Sequence, residues 1–225
     1  MKSHSKAAVF LTMCLCLNSY AETQPQSFVH LSEIAPTIQQ DMRYFTYNNF
    51  IGRPINGYQR PTCILTRDAA EALQKVQQTL QRQGLGLKVF DCYRPQRAVN
   101  QFVEWSKDIR DQKMKAEYYP RVNKAEFFKL GYVLEHSDHT RGSTVDLTII
   151  DLATHKPLDM GTHFDFMDPR SHSLNHSVTQ TQFKNRMRLR TAMHQFNFQP
   201  IDEEWWHFTL KNGPYKNTYF NFLVK

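Results

Sequence analysis

The sequence predicts a single α+β domain with a largely antiparallel sheet and flanking helices. Helical and strand patterns are interspersed without the regular strand–helix–strand alternation of a parallel sheet. The composition, 40% hydrophobic and 22% charged over 225 residues, is that of a chain able to bury one real core. No internal repeat or low-complexity tract divides it.

The first residues read as a leader. Lys2 and Lys6 form a short positive region, and Ala7 to Leu17 is an apolar run too short to span a bilayer. Ser19-Tyr20-Ala21 then presents small residues at the two positions a signal peptidase reads, so cleavage is expected after Ala21. Cys14 and Cys16 follow Met13 and Leu15, where lipidation needs a small residue, so no lasting membrane anchor is expected. The mature chain is then periplasmic or secreted. It retains Cys63 and Cys92, an exported pair that suggests a disulfide, the other reading being two buried thiols.

Residues 22–40 are polar and read as an N-terminal arm. Tyr44 to Tyr58 is loop-like but rich in aromatics, which either cover a site or simply pack. Thr66 reads as the N-cap of a helix to about Gln83, with Ala69, Ala70, Leu73, Val76 and Leu80 on one side and Gly84 ending it. Leu87–Phe90 reads as a strand, and Pro95 opens a helix to about Ile109. Ala125–Leu130 reads as a short helix stopped by Gly131. Val145–Ile150 is a strand, 178–196 a helix, and Trp205–Leu210 a terminal strand. The formal net charge of +7 falls to +5 once Lys2 and Lys6 leave. No basic stripe with interleaved aromatics accompanies it, so it is read as a solvated surface, not as a nucleic-acid site.

Three segments carry chemistry. In Ser137 to Asp146, His139 and Asp146 are both good zinc ligands. They lie seven apart, an odd separation that would place them on opposite faces of one strand, so the chain must bend, and Gly142 is placed to let it. A carboxylate at Asp146 among Val145, Leu147 and Ile149 needs a partner, which a metal supplies. A capping histidine and a surface aspartate are the competing reading. In Glu203-Glu204-Trp205-Trp206-His207, His207 completes a set of three ligands that leaves one position open for water. A carboxylate must then take the water's proton. Glu204 is preferred over Glu203, and should sit in a turn or bulge entering the strand. In Asp91-Cys92-Tyr93-Arg94-Pro95, Arg94 either stabilises an oxyanion or pairs structurally with Asp91.

Together these segments resemble the D-alanyl-D-alanine dipeptidases, zinc enzymes that share their metal site with D,D-carboxypeptidases and the hedgehog signalling domain. The resemblance runs from about Tyr44 to Leu210. It rests on an S-x-H-x-x-G-x-x-x-D box at Ser137–Asp146, a Y-R-P turn at Tyr93-Arg94-Pro95, an E-x-x-H at Glu204–His207, and Met160-Gly161-Thr162-His163-Phe164-Asp165 for M-G-T-x-F-D. It implies one zinc per chain on His139, Asp146 and His207 at the sheet face. It also implies Glu204 as base, Arg94 as the carbonyl-polarising group, Asp165 as partner of the substrate's ammonium, and Ser137 near its carboxylate end. The organisation it implies is a leader over 1–21, an arm over 22–40 and a zinc dipeptidase domain over 41–225 acting on a small D,D-dipeptide. The leader and Cys92 depart from the cytoplasmic resistance enzymes and point to cell-wall fragment turnover. The alternatives are a D,D-carboxypeptidase on longer wall peptides and a zinc-containing binding module without catalysis. Glu204 and Arg94 argue against the binding module.

Overall fold

Two strands rich in apolar and β-branched residues form the centre of the fold. The computed structural model describes residues 23–225. In chain order the elements are β1 (Phe28–His30), α1 (Leu31–Ile34), β2 (Gln39–Gln40), β3 (Ile64–Thr66), α2 (Arg67–Gln81), β4 (Leu85–Asp91) and α3 (Gln96–Lys107). Then follow α4 (Lys115–Tyr118), β5 (Thr144–Asp151), α5 (Gln180–His194), β6 (Phe198–Pro200) and β7 (His207–Leu210). The leader expected over residues 1–21 lies outside the described residues. No helix among the described residues is long and apolar enough to cross a membrane.

The main sheet has the order β2-β4-β5-β7-β6. Every pairing in it is antiparallel except the short β2–β4 contact. β4 and β5 are buried almost throughout, because helices cover what their neighbours do not. The apolar stripe of α2, Ala69, Ala70, Leu73, Val76 and Leu80, is buried against this layer as its spacing predicts. α5 starts on a capping box at Thr179 and Gln182 and packs on β5 and β6. The α+β class and the antiparallel character expected from the sequence are what the fold has.

The structure corrects the expected polar arm. Within residues 22–40, Phe28, Val29, Leu31, Ala35 and Ile38 are buried. β1 pairs with β3, with Val29 opposite Leu65, and β2 adds to the edge of β4. Strands of three and two residues are too short to show a period in a polar background, so composition alone concealed them. Ala125–Leu130 is likewise not a regular helix. One 3₁₀ turn at Lys124–Glu126 leads through further turns to Gly131. The strand expected from Trp205 begins at His207, and both tryptophans lie in the turn before it.

Cys63, just before β3, and Cys92, just after β4, are bridged with Cα atoms 5.4 Å apart. Beyond β7 the chain folds back over this region. Phe220 N–H donates to the Thr140 carbonyl at 3.0 Å, and the Phe222 ring stacks on Tyr93 at 4.0 Å.

Candidate active site

Strand register assembles the site. Asp146 on β5 lies opposite His207 on β7 and opposite Asp91 on β4, so three polar side chains form one row across the sheet. The Asp91 register depends on a bulge. Val89 pairs with Leu147 but Asp91 with Asp146, so Phe90 is the extra residue. Val145, Leu147 and Ile149 alternate away from this row into the core, as anticipated.

His139 arrives from a different element, a 3₁₀ turn over Asp138–Arg141. Ser137 caps that turn, its Oγ accepting from the His139 N–H at 3.3 Å. Gly142 ends the turn with φ +82°, and a Cβ there would meet the Phe28 ring at 2.0 Å. Only glycine lets the chain turn here into β5, which is the bend that the odd spacing of His139 and Asp146 required.

The donor atoms converge. His139 Nε2 is 3.2 Å from Asp146 Oδ2 and 3.3 Å from His207 Nδ1, and His207 Nδ1 is 3.3 Å from Asp146 Oδ1. These separations match the ~3.3 Å edge of a tetrahedron with bonds of ~2.0 Å, the geometry of zinc with nitrogen and oxygen ligands. Asp146 Oδ1 is buried and has no hydrogen-bond partner, which is costly for a carboxylate unless a cation meets it. Burial alone would raise the Asp146 pKa. The two adjacent imidazoles act against that and hold it well below the usual carboxylate range. The His139 Nδ1 lies 2.7 Å from the Cys92 carbonyl, which can only accept. The ring therefore donates through Nδ1, which in the neutral imidazole leaves the Nε2 lone pair facing the cluster. Two imidazole nitrogens and one carboxylate fit a divalent metal of the zinc type, with room for a further ligand.

Around this cluster stand the other expected residues. Arg94 Nε donates to Asp91 Oδ2 at 2.9 Å, while its Nη2 lies 3.5 Å from Asp146 Oδ2. The structural pair and the site-facing position are thus both realised. The guanidinium is flanked by the Tyr44 and Phe102 rings at 5.0 and 5.2 Å. Glu204 sits in the turn entering β7, where the His207 N–H reaches its carbonyl at 3.4 Å, and its Oε2 is 3.5 Å from His207 Nδ1. Its side chain keeps 29% exposure, whereas Glu203 is exposed yet also reaches the cavity wall. The turn after β5 closes with the Leu158 N–H on the Ile149 carbonyl at 2.9 Å and returns the chain towards the cluster. Asp165 ends this return with φ +61° and is buried, with Tyr44 Oη donating to its Oδ2 at 2.9 Å. Burial first, and the Asp146 charge second, push its carboxyl well above the ordinary aspartate value. Tyr44, Arg94, Ser137, His139, Asp146, Asp165, Glu204 and His207 all line one cavity of about 240 Å³.

Residues 24–225 match the family model described as D-ala-D-ala dipeptidase. The chain belongs to the D-Ala-D-Ala dipeptidase family. Its similarity to curated members is spread over nearly the whole of them. It is 40% identical over 198 residues to the D-alanyl-D-alanine dipeptidase of Enterococcus faecium, covering 88% of this chain and 98% of that one. The Streptomyces coelicolor A3(2) enzyme of the same name is 40% identical over 197 residues, with the same two coverages. The Escherichia coli K12 enzyme is 35% identical over 185 residues, covering 81% of this chain and 83% of that one.

Sequence reading within this dipeptidase family missed several groups that support the site. Tyr58 Oη donates to Asp91 Oδ1 at 2.7 Å, and Tyr44 and Phe102 enclose Arg94. The aromatic loop from Tyr44 to Tyr58 was the available signal, but its partners lie far along the chain. The Cys92 carbonyl is a backbone contact with no side-chain signal at all.

Proposed function

We propose that this chain hydrolyses the D-Ala-D-Ala dipeptide to two molecules of D-alanine, using one zinc ion on His139, Asp146 and His207. The observation that carries the reading is the meeting of that ligand set with Glu204, Arg94 and Asp165 in one small cavity. When bound, zinc supplies Lewis acidity, which acidifies water and polarises a carbonyl. Glu204, partly exposed and next to His207, takes the water's proton and returns it to the leaving amine. Arg94, held by Asp91 and the two rings, presents its Nη2, beside Asp146, to the oxygen that gains charge as the carbonyl is attacked. Asp165, buried and held by Tyr44, binds the substrate's ammonium one residue before the scissile bond. Ser137 stands on the cavity wall for the carboxylate end.

The cavity's size supports a dipeptide. At about 240 Å³ it is below the ~300–1,000 Å³ of pockets that take drug-sized ligands. A D,D-carboxypeptidase must admit a long acylated amine where Asp165 stands, and a buried carboxylate there disfavours it. A binding module has no use for Glu204. The leader-like residues 1–21 and the Cys63–Cys92 bridge support an exported enzyme, because such bridges persist in oxidising compartments. Turnover of cell-wall fragments is the role that fits an exported dipeptidase. The test is zinc-loaded protein lacking residues 1–21, incubated with D-Ala-D-Ala, its L,L isomer and a D-Ala-D-Ala-ended pentapeptide. Cleavage of the first alone is expected. Preferred release of D-alanine from the pentapeptide would overturn the reading in favour of a carboxypeptidase.

A further inference from the structure

The Cys63–Cys92 bridge lies outside the catalytic cavity, yet the backbone carbonyl of Cys92 is hydrogen-bonded to a candidate metal ligand. β4 leaves the ladder at Asp91, the last residue of that strand paired with β5. Residues 92–94 lie beyond the β4–β5 ladder. They nevertheless hold His139 at two points. The Cys92 carbonyl accepts from the His139 ring at 2.7 Å, and the Arg94 N–H donates to the His139 carbonyl at 3.3 Å. Besides the Tyr93 ring on Phe222 and the Arg94–Asp91 pair, two links anchor residues 92–94 on their other side. The Tyr93 N–H donates to the Ile64 carbonyl at 2.9 Å, and the Cys92 sulfur is bonded to Cys63. Cys63 is itself anchored. Its N–H donates to Gln40 Oε1 at 2.8 Å, and its carbonyl accepts from the Leu31 N–H at 2.9 Å. Both cysteines are fully buried.

We propose that the Cys63–Cys92 disulfide is a positioning element for the metal centre, holding the Cys92 carbonyl where it orients His139 and so tightening zinc binding. The proposal rests on the reading of His139 as a zinc ligand. Outer partners of metal-bound histidines fix the tautomer and ring orientation, and their loss costs ~10–100-fold in metal affinity. Without the bridge the carbonyl remains but is less restrained, so the effect belongs at the lower end, about tenfold.

The experiment compares zinc dissociation constants by competition with a chromophoric chelator. The samples are the oxidised protein, the Cys63→Ser/Cys92→Ser variant, and a control with the bridge intact but the core weakened at a residue that does not line the cavity, Leu189→Ala. The expected result is zinc held about tenfold more weakly by the serine pair, with Leu189→Ala binding as the parent does. Equal affinity in parent and serine pair overturns the proposal, as does an equal loss in the control, which would make the effect one of general stability. Failure of the parent itself to bind zinc would instead sink the proposed function. If the serine pair does not fold, binding linkage supplies the test on the parent protein. Zinc that binds more tightly to the bridged form must make the bridge harder to reduce in a glutathione redox buffer. A tenfold preference lowers the midpoint by about 30 mV. No shift, or a shift towards easier reduction, overturns the proposal.

Discussion

Asp146 and His207 are register partners on adjacent antiparallel strands, and His139 reaches the same point from a 3₁₀ turn three residues before β5. Two of the three candidate ligands are thus fixed by the backbone ladder of the main sheet, and the third by a glycine-ended turn. Removing either imidazole leaves too few ligands for tight zinc binding. His139→Ala and His207→Ala should each lose zinc and turnover together, while the parent carries about one zinc per chain. Metal analysis of the purified proteins checks this, and full zinc occupancy in both variants would refute the ligand assignment.

Glu204 and Glu203 are adjacent, but only Glu204 approaches His207. Glu204→Ala should retain zinc and lose roughly 10²–10⁴ in turnover, the usual contribution of a general base. Glu203→Ala should stay close to the parent. Steady-state rates on zinc-replete samples decide between them, and the reverse pattern would assign the role to Glu203.

The fold class and the candidate cluster of His139, Asp146 and His207 were legible because they depend on local pattern. Asp146 stands out as the one charged residue within Val145–Ile150, among apolar and β-branched neighbours, and Gly142 marks the bend that its spacing from His139 demands. What was not legible depends on register and long-range contact. Asp91 joins the Asp146–His207 row only because Phe90 forms a bulge, and nothing in Leu85–Asp91 announces one. Tyr44 meets Asp165 across 121 residues, a separation that no local spacing rule spans. The polar look of residues 22–40 hid two short strands, since β2 contributes little besides backbone pairing to the edge of β4.

Tyr44 couples the two ends of the cavity, donating to Asp165 while its ring packs on Arg94. Tyr44→Phe keeps the ring and removes the donor. A hydrogen bond to a charged group is worth ~1.5–3 kcal/mol, so kcat/KM for D-Ala-D-Ala should fall about tenfold or more, mainly through KM. The melting temperature serves as the control for general damage. An unaltered KM would show that Asp165 does not depend on this hydroxyl.

Asp168 secures the segment that carries Asp165. Its carboxylate accepts from Arg121 at 2.6 and 2.5 Å, and from the Arg170 Nε and N–H at 3.1 and 2.9 Å. Burial alone would raise its pKa, but these bonds hold it at about 2. The value is depressed below the unfolded ~3.9, so the stability it contributes is present above about pH 4 and is lost as the pH falls through about 2. Urea unfolding of the metal-free protein and of Asp168→Asn from pH 6 to pH 2 should show a gap that narrows with acid. A gap independent of pH would remove this ion pair from the account of acid stability.

The most direct measurement compares D-Ala-D-Ala with N-acetyl-D-Ala-D-Ala on the zinc-loaded enzyme. Asp165 is buried and holds a hydrogen bond from Tyr44, and because burial disfavours its charge, its ionised form needs a cation beside it. Acetylation removes the ammonium and adds bulk at that point. A site built on a buried polar partner can reject an analogue lacking it by as much as ~10⁴–10⁵. The free dipeptide should therefore be cleaved and the acetylated one be nearly inert, with Asp165→Asn narrowing the gap by weakening the free dipeptide. Comparable kcat/KM for the two substrates would contradict a dipeptidase that reads its substrate's amino end through Asp165.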